Sequence, residues 1–459
     1  MAGKTTSGPA QHLRALTGHA GRMLGSKSGQ MLLIGFVNIG LGLAVTMLLA
    51  RLMMPSEFGE YALALNLAQM LTMPVEFGLL TLTVREIARS RAREDDEALA
   101  AMVLFAATML MTTFVLLVAG LAVAEMLGFT VSELPRTLQY WTLAAVLPLA
   151  LMNWARGILL GFERAIDSAL SENILRPMLH LLFVVGLAIW GSVSSTGAMV
   201  AQVAALALCF FWSVWRMRSS LAGRIRLPLL RRDHFTFKSW FGALLPLSLI
   251  NGARMINRRI DVVMVGFLAN TVAVAGYTIA MQLTSVILVA QTVLNGLISP
   301  KVAYAFEAGQ TARLQRILAR TTLISCAFAM AAALGILFIG LPVITLLFGA
   351  SYSHAWQLSL ILAVGQLFSG LMGPTALMLN MTSADKKTLG TGILAAVLNV
   401  ALSALLIPPL GSVGAAIASS ATLVAIQTQR WAMAWRHTGV RTDIFAALAH
   451  IRAHREPTP

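Results

Sequence analysis

Charge is scarce in this chain. Only 12% of its 459 residues are Asp, Glu, Lys or Arg, about half the share of an average soluble protein. Acidic residues are the scarcest, 19 against 34 basic ones. With 58% hydrophobic residues and a mean hydropathy of +0.77, this composition excludes an ordinary soluble domain and indicates a polytopic membrane protein. Cysteine is almost missing. Cys209 and Cys326 are the whole supply, and both fall within apolar runs, which excludes a disulfide framework or a thiolate metal site. Zinc-ligand spacing, a nucleophile elbow and a dinucleotide fingerprint are lacking too. No catalytic residue, metal or cofactor is therefore expected, and the chain is not expected to be an enzyme. Gly21-x-x-x-x-Ser26-Lys27-Ser28 imitates a phosphate-binding loop, but Ser replaces the second Gly and no strand precedes it, so ATP binding is not expected.

What is present is a series of long apolar runs. They predict an all-α membrane protein of about twelve transmembrane helices. The runs lie near 30–50, 61–84, 98–124, 138–160, 172–190, 196–216, 240–268, 272–298, 319–341, 354–380, 389–407 and 412–435. The net charge of +15 would suggest nucleic-acid binding in a soluble protein. Here the basic residues cluster in alternate loops, such as Arg85 to Arg93, Arg216 to Lys238 and Lys301 to Arg320. The positive-inside rule accounts for them, so no nucleic-acid partner is expected. No signal-cleavage pattern precedes the first run, and both termini are expected in the cytoplasm, with the protein multi-pass in a bacterial cytoplasmic (inner) membrane.

The halves repeat. Tyr61-Ala62-Leu63-Ala64-Leu65-Asn66-Leu67 echoes Tyr277-Thr278-Ile279-Ala280-Met281-Gln282-Leu283. Gly197-Ala198-Met199-Val200-Ala201 echoes Gly414-Ala415-Ala416-Ile417-Ala418 at nearly the same offset. Six spans per half make this a parallel repeat. The expected organisation is a basic cytoplasmic tail (1–29), a six-helix lobe (30–216), a basic linker (217–238), a second six-helix lobe (239–435) and a basic tail (436–459).

The seventh span holds Asn251, Arg254, Arg258, Arg259 and Asp261. At about 1.5 Å per residue the arginines lie roughly 24, 18 and 16 Å from Asn270, too deep to snorkel to that surface. Three buried arginines cost roughly 10 kcal/mol on insertion scales before compensation. They require a wet cavity or paired groups. Asn251, Arg254, Arg258 and Asp261 share one helical face, and Asp261 stands one turn from Arg258, where it can partly neutralise it. Guanidinium forks suit phosphate or an acidic sugar; the competing reading is an ion-pair network between helices.

Other polar residues inside spans are fewer. Asn66, Gln69, Thr72 and Glu76 form a stripe on the second span, with Pro74 expected to bend it. Glu76 is a candidate coupling or ion-pairing carboxylate, and His180 a candidate for the same role or for packing. Arg156 and Arg176 read as anchors of helix ends. Gln282, Ser285 and Thr292, and Gln366 with Ser369, offer neutral hydrogen bonds either to a sugar or between helices. Residues 300–320 read as an amphipathic surface segment, and 85–97 as a solvated loop.

At these residues the chain resembles the polysaccharide-transporter, oligosaccharide-lipid flippase family of the MATE-like (MOP) superfamily. The motifs are Leu49-Ala50-Arg51-Leu52-x-x-Pro55-x-Glu57-Phe58-Gly59-x-Tyr61 and Arg156-Gly157-x-Leu159-x-Gly161-x-Glu163-Arg164, then Asp261-x-x-Met264-x-Gly266, Gly276-Tyr277-x-x-Ala280 and Ser299-Pro300. The resemblance implies two six-helix lobes around a central cavity. It also implies transport of a polyprenyl-pyrophosphate-linked oligosaccharide, a surface-polysaccharide precursor (lipopolysaccharide or exopolysaccharide), by alternating access. The expected substrate-binding residues are Arg254, Arg258, Arg259, Asn251 and Gln282. Expected partners are the lipid-linked oligosaccharide, membrane lipids, H+ or Na+, and polysaccharide polymerase and export machinery. The alternative is a cation-coupled multidrug antiporter on the same fold. A polytopic glycosyltransferase would need a larger outer loop than any here.

Overall fold

The computed structural model describes residues 27–128, 134–221, 237–382 and 385–453. The basic N-terminal tail, most of the 217–238 linker and the phosphate-loop imitation lie outside these residues. The secondary structure of the described residues is helical throughout. The first half comprises α1 (Lys27–Leu52), α2 (Pro55–Glu76), α3 (Leu79–Ala92), α4 (Asp96–Met126), α5 (Arg136–Gly161), α6 (Ala165–Leu170), a π-helical turn (Ser171–Leu175), α7 (Arg176–Trp190) and α8 (Ser195–Leu221). The second comprises α9 (Phe237–Leu268), α10 (Thr271–Glu307), α11 (Thr311–Leu347), α12 (Ala355–Met372), α13 (Thr375–Met381), α14 (Asp385–Leu410), α15 (Ser412–Thr438) and α16 (Ile444–Ala453).

Each of the twelve expected spans has its helix. Nine are long and apolar enough to cross a membrane by themselves, and the bent pair α2–α3 makes a tenth. The other two, α9 and α15, carry charged and amide side chains that lower their hydropathy. Three expectations need correction. Residues 85–92 are not a loop but most of α3, which continues the second span after a 47° bend. Residues 300–320 are not a separate surface segment. They are the ends of α10 and α11, each 37 residues long, or roughly 55 Å at 1.5 Å per residue against a hydrocarbon core of about 30 Å. Pro74 and Pro300 both sit within continuous helix; the bend comes three and four residues after Pro74, at Phe77 and Gly78, both left-handed.

Helices of the first half pack on one another, chiefly α5 with α8, α2 and α3, and those of the second half likewise, chiefly α15 with α14 and α12. The halves meet where α2 lies along α9 and α10. At the end of the bundle that holds the turn between α1 and α2 they are tightly closed. Arg51 Nε donates to the carbonyl of Leu347 at 3.0 Å, and its Nη2 reaches that of Leu346, so one guanidinium caps the C-terminus of α11 from the other half. Phe58 meets Tyr352 edge to face at 6.1 Å. A β-carbon on Gly59 would fall inside the Thr271 carbonyl, so glycine alone permits this approach. The family-like motif from Leu49 to Tyr61 is thus the closure itself. Gly59→Ala should cost about 1–3 kcal/mol by overpacking and lower the melting temperature in detergent by several degrees. Gly40→Ala, with open space around its β-carbon, should not.

The C-terminal helix α16 is anchored by one carboxylate. Asp443 accepts from Arg441 (3.0 and 3.1 Å), from the indole of Trp431 (2.9 Å) and from the backbone N–H of Ala446 (3.0 Å). Burial alone would raise its pKa; the hydrogen bonds and the Arg441 charge outweigh that and hold it below the ordinary 3.8. A depressed folded pKa contributes stability that is complete above the unfolded value and disappears as pH falls through the folded one. Amide-exchange protection of 444–453 should therefore persist down to about the ordinary value of 3.8 and fall only below it, and Asp443→Asn should remove the pH dependence.

Candidate functional site

The face of α9 is set by glycine. Gly252 and Gly266 leave no room for a β-carbon against Met73 and Leu63 of α2, so the two helices run in antiparallel contact. Arg259, on that side of α9, donates from Nη1 to Asn66 Oδ1 at 3.2 Å. The Asn66 amide is oriented by its own donation to the Ala62 carbonyl at 2.7 Å, which leaves its oxygen for the guanidinium. The next residue, Arg258, turns about 100° away and is exposed. Val262 and Val265 follow it along the same stripe at i+4 and i+7, and are 3% and 0% exposed. The stripe therefore passes from open to sealed inside the bundle. Phe267, on the opposite side of α9, is 49% exposed and faces outward. Arg258 thus points to the interior side of its helix.

A third arginine joins from the other half. Arg176, at the start of α7, lies near enough to Arg259 to repel it, as does Arg258. No carboxylate among the described residues pairs with Arg176, Arg258 or Arg259. Arg176 donates weakly to the backbone carbonyl of Glu172 at 3.4 Å. From sequence Arg176 reads as a helix-end anchor; its place beside Arg259 depends on a contact between residues far apart in the chain. The side chain of Arg254 lies outside the described residues.

Asp261 does not neutralise Arg258 as expected. Its side chain leaves the arginine face and points to α10, α14 and α15. Asn399 Nδ2 donates to Oδ1 at 2.6 Å, and Ser419 Oγ and Tyr277 OH donate to Oδ2 at 2.9 and 3.3 Å. Ser403 donates to Asn399 Oδ1 at 3.0 Å and fixes that amide. Every partner is neutral, and Asp261 is only 7% exposed. One turn beyond Ser419, the buried hydroxyl of Thr422 has no partner. The arginines therefore keep their charge, and a lone carboxylate sits one helical turn away facing another way.

Glu76 has no ion pair among the described residues either. Asn153 of α5 donates to it at 2.6 Å. Arg156 donates to Asn153 Oδ1 at 2.9 Å and pairs with Glu172 at 2.5 Å. Glu172, in the π-helical turn, was not singled out from sequence; the wide turn shifts its register on the span and brings it to Arg156. The remaining candidates separate cleanly. His180 is 3% exposed, lies against the Tyr61 ring at 5.8 Å, and has Nε2 3.3 Å from the Ala198 carbonyl, which is packing. Asn251 donates to Thr81 Oγ1 of α3 at 3.2 Å. Gln282 sits at the meeting of α10 and α1, its Nε2 3.9 Å from where a Gly42 β-carbon would be. Ser369 is tied to Gln291 and Gln427 and holds helices together, and the backbone carbonyl of Gln366 accepts from Gln291. Ser285 and Thr292 bond back to their own helix.

Several solved structures share this architecture. The chain is similar to an inward-facing MATE-family multidrug resistance transporter, at 16% identity and a TM-score of 0.72 over 90% of this chain and 98% of that one. It is similar to the lipid II flippase MurJ in an inward closed conformation, at 13% identity and a TM-score of 0.71 over 94% of each. A MOP transporter of Pyrococcus furiosus Vc1, described as having a binding pocket of reversed polarity, matches at 16% identity and 0.59 over 94% and 95%. No curated protein matches by sequence. The family model of polysaccharide biosynthesis proteins matches residues 24–300, more than half of the chain, and the protein belongs to that family.

Proposed function

We propose that this protein is a flippase. It moves a polyprenyl-pyrophosphate-linked oligosaccharide, a precursor of lipopolysaccharide or exopolysaccharide, across the bacterial inner membrane by alternating access. The observation that carries this reading is the set Arg176, Arg258 and Arg259, three cations from both halves with no carboxylate partner among the described residues. A cationic cluster inside a membrane-spanning bundle needs an anion or water, and a pyrophosphate offers oxygens for all three forks. Arg254, one turn from Arg258 by register, belongs to the same set. Gln282, where α10 meets α1, supplies neutral hydrogen bonds to the sugars, whereas Asn251 is already engaged by Thr81. α1 exposes the apolar side chains of Met31, Leu33 and Phe36, and α10 those of Val286 and Leu288; the polyprenyl tail is assigned to these apolar surfaces. The family assignment and the likeness to a lipid II flippase support the same reading. The basic residues of alternate loops in the sequence support a cytoplasmic location for that side and for both termini. Polymerase and export machinery take the product on the other side.

The multidrug-antiporter alternative fits less well. A cationic drug would meet three arginines, and like charges in a low-dielectric site repel strongly. Arg258→Gln together with Arg259→Gln should abolish surface-polysaccharide export while the protein still reaches the membrane; export at the parental level rules the assignment out. Drug susceptibility of a deletion strain should be unchanged.

Coupling is assigned to Asp261. A buried carboxylate ringed by hydroxyls and an amide can take up a proton or release those groups to Na+, and Glu76, already satisfied by Asn153, is the weaker candidate. Asp261→Asn should make transport insensitive to proton or sodium gradients and slow it at least tenfold. Binding of inorganic pyrophosphate to the purified protein should be retained, which separates coupling from substrate recognition.

A further inference from the structure

We propose that the Glu76–Phe77–Gly78 break in the second span is the hinge of an inner gate, and that Asn153 and Asn251 hold it shut. Three observations converge on it. First, the backbone is left-handed at two successive residues, Phe77 (φ 38°) and Gly78 (φ 78°). For a bulky residue such as Phe this is an outlier that surrounding contacts must maintain. Second, the break is packed against the other half. A β-carbon on Gly78 would lie 2.9 Å from the backbone nitrogen of Ser248 and 3.0 Å from Leu247 Cβ, and one on Gly252 would enter the Met73 side chain. Third, each side of the break is pinned by a hydrogen bond. Asn153 of α5 holds Glu76 at 2.6 Å on the near side. Asn251 of α9 holds Thr81 at 3.2 Å beyond the bend, across the halves.

The fold itself does not demand this break. By the repeat offset, the equivalent positions in the second half fall near 292–295, where α10 runs as unbroken helix. The hinge belongs to one half alone. Its position also suits a gate: along α2 it is about ten residues, roughly 15 Å, from the Asn66–Arg259 contact, on the side of the basic loops. Unbending Phe77 and Gly78 would swing α3 away from Leu247, Ser248 and Asn251 and open a path to the arginines. The tie at Asn153 continues through Arg156 to Glu172 and so to the turn that carries Arg176. This deepens the flippase reading and rests on it for the gate's purpose, but not for its existence.

The test uses the full chain with Cys209→Ala and Cys326→Ala, and adds Thr81→Cys with Asn251→Cys. A short bifunctional methanethiosulfonate reagent should join this pair in membranes, and joining it should stop export until the link is reduced. Glu76→Leu or Asn153→Leu should lower the cross-linking yield at least threefold. Glu76→Gln, which keeps an acceptor for Asn153, should leave it unchanged. A second pair at the opposite end, Phe58→Cys with Tyr352→Cys, should cross-link in every variant and so reports that the protein is folded. Absence of cross-linking at 81 and 251, undiminished export by the linked protein, or an unchanged yield in Glu76→Leu would each overturn the gate. Arg258→Gln with Arg259→Gln, in the same background, should cross-link fully and export nothing. If it exports, the anion site falls while the gate is judged on its own cross-linking.

Discussion

A guanidinium cannot be left dry inside a bilayer, and the middle of this structure is arranged around that constraint. The contact between α2 and α9 is where it is met. Leu63 faces Gly266, Asn66 faces Arg259, Met73 faces Gly252 and Gly78 faces Ser248, so two helices from different halves run side by side through the membrane. Small residues allow the backbones to approach, and the approach brings a neutral amide oxygen to Arg259. A neutral acceptor satisfies one donor without cancelling the charge. The helical rotation of about 100° per residue then sends Arg258 off the contact to the interior side. One packed seam thus holds one arginine and presents the next.

The distribution of carboxylates completes this arrangement. The two acids that could have silenced the cluster are engaged elsewhere. Glu172 is taken by Arg156, and Asp261 by hydroxyls and an amide. An ion pair that includes Arg156 and leaves out Arg176 depends on the π-helical turn at Ser171–Leu175, where one extra residue per turn moves Glu172 off the register of a regular helix. Removing a buried charge from its partner is expensive, so these pairings hold both acids away from the cluster. The unpaired cations are then the groups free to recognise a ligand.

Much of this was legible from sequence because hydrophobic runs of spanning length are strong signals, and arginines within them are rare. The seventh span announced itself in that way. What failed to show was anything that depended on contacts across the chain. Two of the three partners of Asp261 lie 138 and 158 residues further on, and no local pattern points to them; spacing alone suggested Arg258, one turn away. Arg176 stood at the start of a span, where an anchor is the ordinary reading, and only the fold places it near Arg259. The segment 85–92 looked like a solvated loop because it is rich in arginine, yet the same residues satisfy an amphipathic helix with Leu82, Glu86, Ile87 and Ser90 buried. The bend before it carries a glycine as its only sequence mark. Its unusual member is Phe77, which no propensity would place in a left-handed conformation.

The charge of the site bears on the direction of transport. In the proposed cycle the loaded site carries a pyrophosphate outward, and a cytoplasm-negative potential favours moving net negative charge that way by about 2.3 kcal/mol per charge per 100 mV. When the anion leaves, the arginines are again uncompensated, and the same potential draws their positive charge back inward. Cations that move with the site oppose the loaded step by as much as they help the return, so over a full cycle the field acts on the anion carried outward. A proton or sodium ion at Asp261 adds one more positive charge to the returning carrier and strengthens the inward bias. That requires the carboxylate to stay apart from the arginines, since an Arg258–Asp261 pair would cancel the charge on which both recognition and return depend. The turn of α9 that faces Asp261 toward Asn399 and Ser419, and Arg258 toward the interior, keeps the two charges on one rigid helix but in separate surroundings.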